Sequence, residues 1–384
     1  MQLQDILSEI EHIAKNTVKS EALAVDAQGK WPEDSIRELQ QAGLGGLVVS
    51  EELGGHGQGL HAIARACEIL GEYSGSVALC YGMHCVGSAV IGAKATEQQK
   101  EEFLKPIAQG KHLTTLALSE PGTGAHFYYP QTQLLALSDN EFLLNGSKSF
   151  VTNGSKADSY VVSTAGVDPE ATRDEFSCLV LRNDTAGLEW GPDWKGLGMR
   201  GNSSRTLLLK DIKVPSHSLL GEVGDQLWYI FQVVAPYFLT AMSGTYLGIA
   251  QAAFNEARQH LIERSYSHSG TTLSQNSILQ HRLGMLWAKI ERTRQLLYHA
   301  TREGDNGNPA AVLPILASKA EVAHCCVDVV NDAMTLMGGI AYSQQSRMDV
   351  LLRDARAAHV MGPTTDILYT WLGRGLLEQP ILDS

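Results

Sequence analysis

The sequence predicts an α+β protein in three parts: a helical region, a β region and a second helical region. Three observations lead to this prediction. Apolar residues recur at helical spacing up to about residue 110, strand-like alternation with turn residues follows, and the helical period returns near residue 221. We therefore expect domains at 1–110, 111–220 and 221–384, because each part has the usual size of a domain.

The first region reads as a series of helices. Leu3, Ile6, Ile10 and Ile13 recur at helical spacing. The glycine-rich stretch that starts at Gly54 interrupts the pattern. Further helices are predicted from near Pro32 to Gly43, over 59–75 and 76–93, and from Glu97 to a glycine cap at Gly110.

The middle region alternates between apolar and polar residues and is broken by turn residues. The dipeptide Asn145-Gly146 predicts a tight turn between two of its strands. The predicted strands are Gln131 to Leu137, Glu141 to Leu144, Lys148 to Thr152, Ser159 to Thr164, Ser177 to Arg182 and Thr206 to Val214.

The last region predicts long helices that pack as a bundle. Leu227 to Arg264 contains almost no helix breaker after Pro236, and Glu321 to Met337 is stopped by Gly338-Gly339. Helices of this length usually form bundles that another subunit often completes. A third apolar stripe contains Leu283, Leu286, Trp287, Ile290, Leu297 and Ala300.

Composition excludes several classes of function. The 384 residues include 30 basic and 42 acidic side chains, a net charge of −12, which disfavours generic binding to nucleic acid. The six cysteines form no CxxC pair and no zinc-type spacing, so we expect reduced, mostly buried thiols and no metal site.

Targeting and membrane features are not expected from the sequence. The first residues carry acids and lack a basic segment followed by an apolar core, which argues against a signal peptide. No apolar stretch reads as long enough to span a membrane. We therefore expect a soluble cytoplasmic protein.

Several motifs carry a resemblance to a known family. Leu118 to His126 reads LSEPGTGAH, which is similar to a T-E-P-x-x-G-S-D loop, and Asn145 to Gly154 reads NGSKSFVTNG, similar to N-G-x-K-x-W-I-T-N-G. Two further segments match motifs of the same family. They are Lys195 to Arg200, and the pair Gly338-Gly339 followed by Arg353-Asp354-Ala355-Arg356. In these motifs and in the order of its domains, the chain resembles the acyl-CoA dehydrogenase family.

The resemblance implies a middle β-barrel domain, a C-terminal four-helix bundle and FAD as cofactor. It places Phe150 and Thr152 beside the isoalloxazine, and Arg264 and Gln275 on the FAD of a neighbouring subunit. A homodimer or homotetramer is therefore expected. The full set of implied FAD-binding residues is Leu118, Ser119, Gly124, Ala125, Phe150, Thr152, Arg264, Gln275, Gly338, Gly339, Thr364 and Asp366.

The catalytic position departs from the family pattern. Gly362 stands where the resemblance places the glutamate that removes the substrate proton, and Phe238, followed by Leu239, stands at the second position known for that base. A proton acceptor within hydrogen-bond reach is needed for the reaction. The candidates are His126 and His84, with His359 and Asp366 near the site in sequence only.

Three functions remain open at this point. The resemblance implies α,β-dehydrogenation of an acyl thioester, with acyl-CoA or acyl-carrier protein as substrate and electron-transfer flavoprotein or oxygen as acceptor. A flavin-dependent monooxygenase or oxidase on the same fold would need no thioester base. A non-catalytic flavin-binding relative would also tolerate Gly362. Glu120 is expected to be structural.

Overall fold

A computed structural model describes residues 2–166 and 176–382 and confirms the predicted order of helical, β and helical regions. The helix predicted to end near Gly43 spans Glu33–Gln41, and Gly43 itself has a φ of +74°. The N-terminal helices are α1 (Leu3–Ile13), α2 (Lys19–Gln28), α3 (Glu33–Gln41), α4 (Leu60–Tyr73), α5 (Gly75–Ala93), α6 (Glu97–Gln99) and α7 (Lys105–Ala108).

The middle region forms one sheet with the strand order β6-β7-β3-β2-β4-β5-β8, and β1 pairs in parallel with β4. No pairing among the described strands joins β6 to β8, so the expected barrel is open there. The strands are β1 (Thr114–Ala117), β2 (Gln133–Ser138), β3 (Glu141–Val151), β4 (Ser159–Gly166), β5 (Ser177–Arg182), β6 (Leu188–Trp190), β7 (Arg205–Pro215) and β8 (Leu219–Leu220).

The turn predicted at Asn145-Gly146 was wrong, because this dipeptide lies inside β3. The pairing of β3 with β7 shifts register between Leu144 and Gly146, which marks a bulge rather than a hairpin end. The Asn145 side chain exchanges hydrogen bonds with Asp211 on β7. A Cβ on Gly146 would lie 2.4 Å from the Thr132 hydroxyl, so glycine is needed for this close approach.

The C-terminal region is a bundle of long helices. The third helix predicted there starts at Val312, nine residues earlier than expected, and ends as predicted at Met337, before Gly338. Trp287, expected on the apolar stripe, is 56% exposed. The helices are α8 (Gln226–Trp228), α9 (Ala235–Glu263), α10 (Ser277–Asp305), α11 (Val312–Met337), α12 (Arg347–Val360) and α13 (Thr365–Leu376).

The expectation that no apolar segment is long enough to cross a membrane was wrong. Three helical stretches, Gly75–Ala93, Gln226–Glu263 and Pro309–Tyr342, have the required length and hydropathy. The fold covers 83%, 78% and 56% of their most apolar windows, respectively. Their hydropathy therefore serves helix packing inside the protein to a large extent.

The three regions meet around α5 and α9. Helix α4 packs along α9, and α5 contacts both α9 and strand β1. Helix α12 packs against α9 and α11. A junction of sheet edge and helices of this kind is a usual place for a ligand pocket.

Candidate functional site

A cavity of about 760 Å³ opens where the sheet meets the C-terminal helices. This volume falls within the usual range for small-molecule and cofactor sites. Its wall combines the loop after β1, the end of β3, the start of α9 and the turn between α12 and α13. The predicted residues found in this wall are Leu118, Ser119, Gly124, Ala125, Phe150, Thr152 and Thr364.

The loop after β1 offers free backbone donors to the cavity. Gly122 and Gly124 have φ values of +88° and +54°, which a residue with a side chain rarely adopts. Among the described residues, no acceptor takes the backbone N–H of Gly124 or of Ala125. Unpaired N–H groups beside a cavity can donate hydrogen bonds to a polar ligand.

The end of β3 presents an aromatic ring and a hydroxyl. Phe150 is 67% exposed, has a φ of +54° and meets Trp194 edge-on at 6.1 Å between ring centroids. Thr152 is almost buried, and its Oγ1 lies 3.3 Å from Oγ of Ser204. The register shift between Lys148 and Val151 produces the bend that turns Phe150 outward.

Glu120 is the one ionisable side chain among the described residues that line the cavity, and it is fully engaged. Its carboxylate accepts hydrogen bonds from the backbone of Gln131 and Thr132 and from the Thr132 hydroxyl. It also pairs at 2.5 Å with Lys148, which is completely buried. Burial lowers the pKa of Lys148 against the opposing effect of Glu120. These contacts support a structural role for Glu120.

Both positions expected for a glutamate base lie in the cavity wall without one. Gly362 and Phe238 line the cavity, from the α12–α13 turn and from α9, respectively. A Cβ added to Gly362 would meet no heavy atom within 4 Å. The space that a longer side chain would occupy is therefore open.

The structure places His84 away from the cavity, contrary to its expected catalytic role. Its side chain is buried in α5, with Nε2 3.0 Å from the Gly45 carbonyl and Nδ1 accepting from the Thr114 N–H at 3.1 Å. Burial lowers its pKa to about 4. With both ring nitrogens bonded to backbone, His84 connects α5 to β1 and does not line the cavity.

His126 lies at the edge of the cavity, not in its wall. Its neighbours Ala125 and Phe127 both line the cavity, while its own side chain is exposed and Nδ1 lies 2.8 Å from the Tyr128 hydroxyl. The Tyr128 ring packs on Trp371 of α13, at 5.9 Å between centroids. The loop carrying His126 is thus attached to the helix that follows Gly362.

The remaining acid–base candidates point elsewhere. His359 bonds through Nδ1 to the Thr365 hydroxyl at 3.0 Å and stacks edge-on against His324. Asp366 is exposed and, like His359, does not line the cavity. Proximity in sequence to Gly362 therefore does not bring either group to the site.

Besides Asp366, four of the predicted FAD-binding residues lie outside this cavity. Arg264 is exposed at the end of α9, and the Gln275 side chain bonds back to the Thr272 N–H. Gly338 and Gly339 follow α11, and a Cβ on either would meet nothing within 4 Å. One chain does not bring these four residues into the cavity with the others.

The motif from Lys195 to Arg200 also contributes to the site, because its Gly198 and Met199 line the cavity. Asp354 of α12 fixes this loop by accepting the Met199 N–H at 2.6 Å. Burial raises the pKa of Asp354 to about 7. Its neighbour Arg353 pairs bidentately with Asp26 and also bonds the Leu197 carbonyl. In the sequence, the Arg353-Asp354 motif on α12 was the feature that could have indicated this contact with the loop.

Comparisons with known proteins assign all three regions of the chain to one family. Residues 2–111, 115–212 and 239–377 match the N-terminal, middle and C-terminal domains of acyl-CoA dehydrogenase. The short-chain-specific acyl-CoA dehydrogenase of Clostridium acetobutylicum is 27% identical over 93% of both chains, and the probable acyl-CoA dehydrogenase YngJ of Bacillus subtilis is 28% identical over 96% of both.

Solved structures of related proteins have the same fold. Butyryl-CoA dehydrogenase from Megasphaera elsdenii superposes with a TM-score of 0.92 at 26% identity, covering 98% of each chain. A prolyl acyl carrier protein oxidase, AnaB, at 21% identity and a TM-score of 0.88, shares the fold. The chain belongs to the acyl-CoA dehydrogenase family, a family of flavoprotein oxidoreductases.

Proposed function

We propose that the protein binds FAD in the cavity and catalyses α,β-dehydrogenation of an acyl thioester. The observation that carries this proposal is the convergence of three separate segments on one cavity. The loop at Gly124, the β3 end at Thr152 and the turn at Gly362 all line it. When bound, FAD supplies the oxidising group for this reaction.

The residues present fit a flavin. The free N–H groups of Gly124 and Ala125 and the hydroxyl of Thr152 are donors of the kind that bind a polar ring edge. Phe150 offers an exposed aromatic face beside them. Thr364, at the N-cap of α13, lines the same cavity and offers its side-chain hydroxyl to the cofactor.

The distant residues Arg264, Gln275, Gly338 and Gly339 support a homodimer or homotetramer, in which they would meet the FAD of a neighbouring subunit. An arginine fork is suited to a diphosphate. Beside the glycine pair, Ile340 and Tyr342 are 63% and 85% exposed, an apolar surface that a second copy would cover. Light scattering of the purified protein tests this; a monomer that binds FAD tightly would contradict it.

For the proton acceptor we propose His126. Its neighbours line the cavity on both sides, and its ring is exposed, so it can turn toward the cavity if the hydrogen bond between Nδ1 and the Tyr128 hydroxyl breaks. Apo geometry does not exclude such a group, since catalytic hydrogen bonds often form only with substrate bound. His84 has no comparable freedom.

The proposed substrate is an acyl-CoA or acyl-carrier-protein thioester, and the proposed electron acceptor is electron-transfer flavoprotein. A solved structure of the electron-transferring flavoprotein of Acidaminococcus fermentans contains a chain that is 26% identical to this one, with a TM-score of 0.92. The cytoplasm is the proposed compartment. AnaB is an oxidase, but at 21% identity it shows a shared fold and no more. No contact among the described cavity residues favours the monooxygenase, oxidase or non-catalytic alternatives.

The test is anaerobic mixing of the flavin-loaded protein with acyl-CoA of increasing chain length. We expect the visible flavin absorbance to bleach and an equal amount of enoyl-CoA to form. His126→Ala should slow bleaching by about 10²- to 10⁴-fold, the usual contribution of a general base, while leaving flavin content unchanged. The matched control is His217→Ala, an exposed histidine outside the cavity. Equal rates for both variants would refute the role of His126.

A further inference from the structure

Helix α11 carries a buried lysine, Lys319. Lys319 is completely buried, and no carboxylate among the described residues pairs with it. Burial lowers its pKa to about 8. A buried ammonium is costly unless its donors are all used, so its contacts indicate its role.

All three ammonium donors of Lys319 are used on one stretch of backbone. Nζ donates to the carbonyls of Ala358 at 2.8 Å, Met361 at 3.2 Å and Pro363 at 3.0 Å. The first of these is among the terminal carbonyls of α12, which have no partner within the helix. The other two belong to the turn that contains Gly362. Lys319 thus joins the end of α12 to this turn.

This attachment fixes the direction of two backbone N–H groups. In a trans peptide the carbonyl of one residue and the N–H of the next point in opposite directions. Because the Met361 and Pro363 carbonyls face Lys319, the N–H groups of Gly362 and Thr364 face away from it. The turn lines the cavity and Lys319 does not, so these two N–H groups face the cavity.

Neither N–H group is otherwise occupied. Among the described residues, no acceptor takes the N–H of Gly362 or of Thr364. Two unpaired donors on a fixed turn are suited to the oxygen of a thioester, on which negative charge grows as the α-proton leaves. We propose that Lys319 is a positioning residue that holds the Gly362 and Thr364 N–H groups toward the thioester oxygen. This inference rests on the proposed thioester substrate.

The experiment measures recognition of the thioester oxygen by itself. The probes are a 2-enoyl-CoA, the product of the proposed reaction, and the thioether of the same chain in which the carbonyl is a methylene. We expect the flavin-loaded wild type to bind the thioester roughly 10- to 30-fold more tightly, the effect of one or two hydrogen bonds. Binding is followed by isothermal titration calorimetry.

Lys319→Met keeps the length of the side chain and removes the donors. We expect its preference for the thioester to fall to within about threefold, while its affinity for the thioether stays close to wild type. Val330→Ala, a buried truncation farther along α11, controls for loss of stability and should keep the full preference. If Lys319→Met does not fold, Lys319→Gln, which retains two donors, serves in its place with an intermediate preference expected.

The outcomes separate this inference from the proposed function. A wild-type preference that survives unchanged in Lys319→Met or Lys319→Gln would overturn the positioning role. A wild type without any preference for the thioester would overturn the proposed thioester recognition, whatever the variants do. Equal loss of preference in Val330→Ala would show a general effect of destabilisation and would also overturn the role of Lys319.

Discussion

Restoring a carboxylate at Gly362 should rescue a protein that has lost His126. Gly362 lines the cavity, a Cβ there would meet no heavy atom within 4 Å, and its φ lies outside the left-handed region. A glutamate can therefore enter the open space with a change in stability within about 1 kcal/mol. Its carboxylate would occupy the cavity next to the fixed turn.

The magnitude follows from what a general base contributes. We expect His126→Ala to lose about 10²- to 10⁴-fold in the rate of flavin bleaching, and His126→Ala/Gly362→Glu to regain most of it. The pH profile should change with the base.

The assay is anaerobic stopped-flow bleaching with one acyl-CoA, in the single and double variants. His126→Ala/Gly362→Gln is the matched control, because glutamine fills the same space without accepting the proton. The reasoning is refuted if the glutamate and glutamine double variants bleach at equal rates while both bind flavin and enoyl-CoA. It is also refuted if His126→Ala is as fast as the wild type.

Three further predictions concern the supporting residues. Lys148→Met, which leaves Glu120 buried without its cation, should lower the free energy of unfolding by about 3–5 kcal/mol in urea titrations, and a loss below about 1 kcal/mol would contradict the pairing. His84→Leu should lose about 1–3 kcal/mol of stability but keep its bleaching rate within about threefold of wild type; a rate loss of a hundredfold would restore His84 as a catalytic candidate. Asp354 has a folded-state pKa raised to about 7, so it favours folding below about pH 4, and this contribution is lost as pH rises to about 7. Asp354→Asn should therefore show a smaller fall in melting temperature than the wild type between pH 5 and pH 8, and parallel curves would contradict the assigned pKa.

Long periodic elements were predictable from sequence, because local spacing determines them. The helix over Gly75–Ala93 and the strand Ser177–Arg182 fall where the pattern placed them. Asn145-Gly146 was not predictable as a bulge, since the deciding contacts come from Asp211 and Thr132, on other segments. At this dipeptide, the pairing of β3 with β2 and β7 determines the backbone structure, and the local preference for a turn does not.

In the site, too, local motifs were predictable from the sequence and tertiary contacts were not. Motif spacing placed Thr152, Gly124 and Gly362 together, and all three line one cavity. It could not show that the two ring nitrogens of His84 are taken by backbone groups 39 and 30 residues away. Nor could it show that Lys319, the one lysine of α11, donates hydrogen bonds to carbonyls that lie 39 to 44 residues farther along the chain. Such contacts depend on tertiary packing.

The most direct measurement is a single anaerobic turnover of the purified, flavin-loaded protein with a series of acyl-CoA thioesters. The account predicts bleaching of the flavin at one or more chain lengths, with one enoyl-CoA formed for each flavin reduced. A protein that binds FAD and 2-enoyl-CoA but keeps its flavin oxidised with every acyl-CoA and acyl-carrier-protein thioester offered would contradict it.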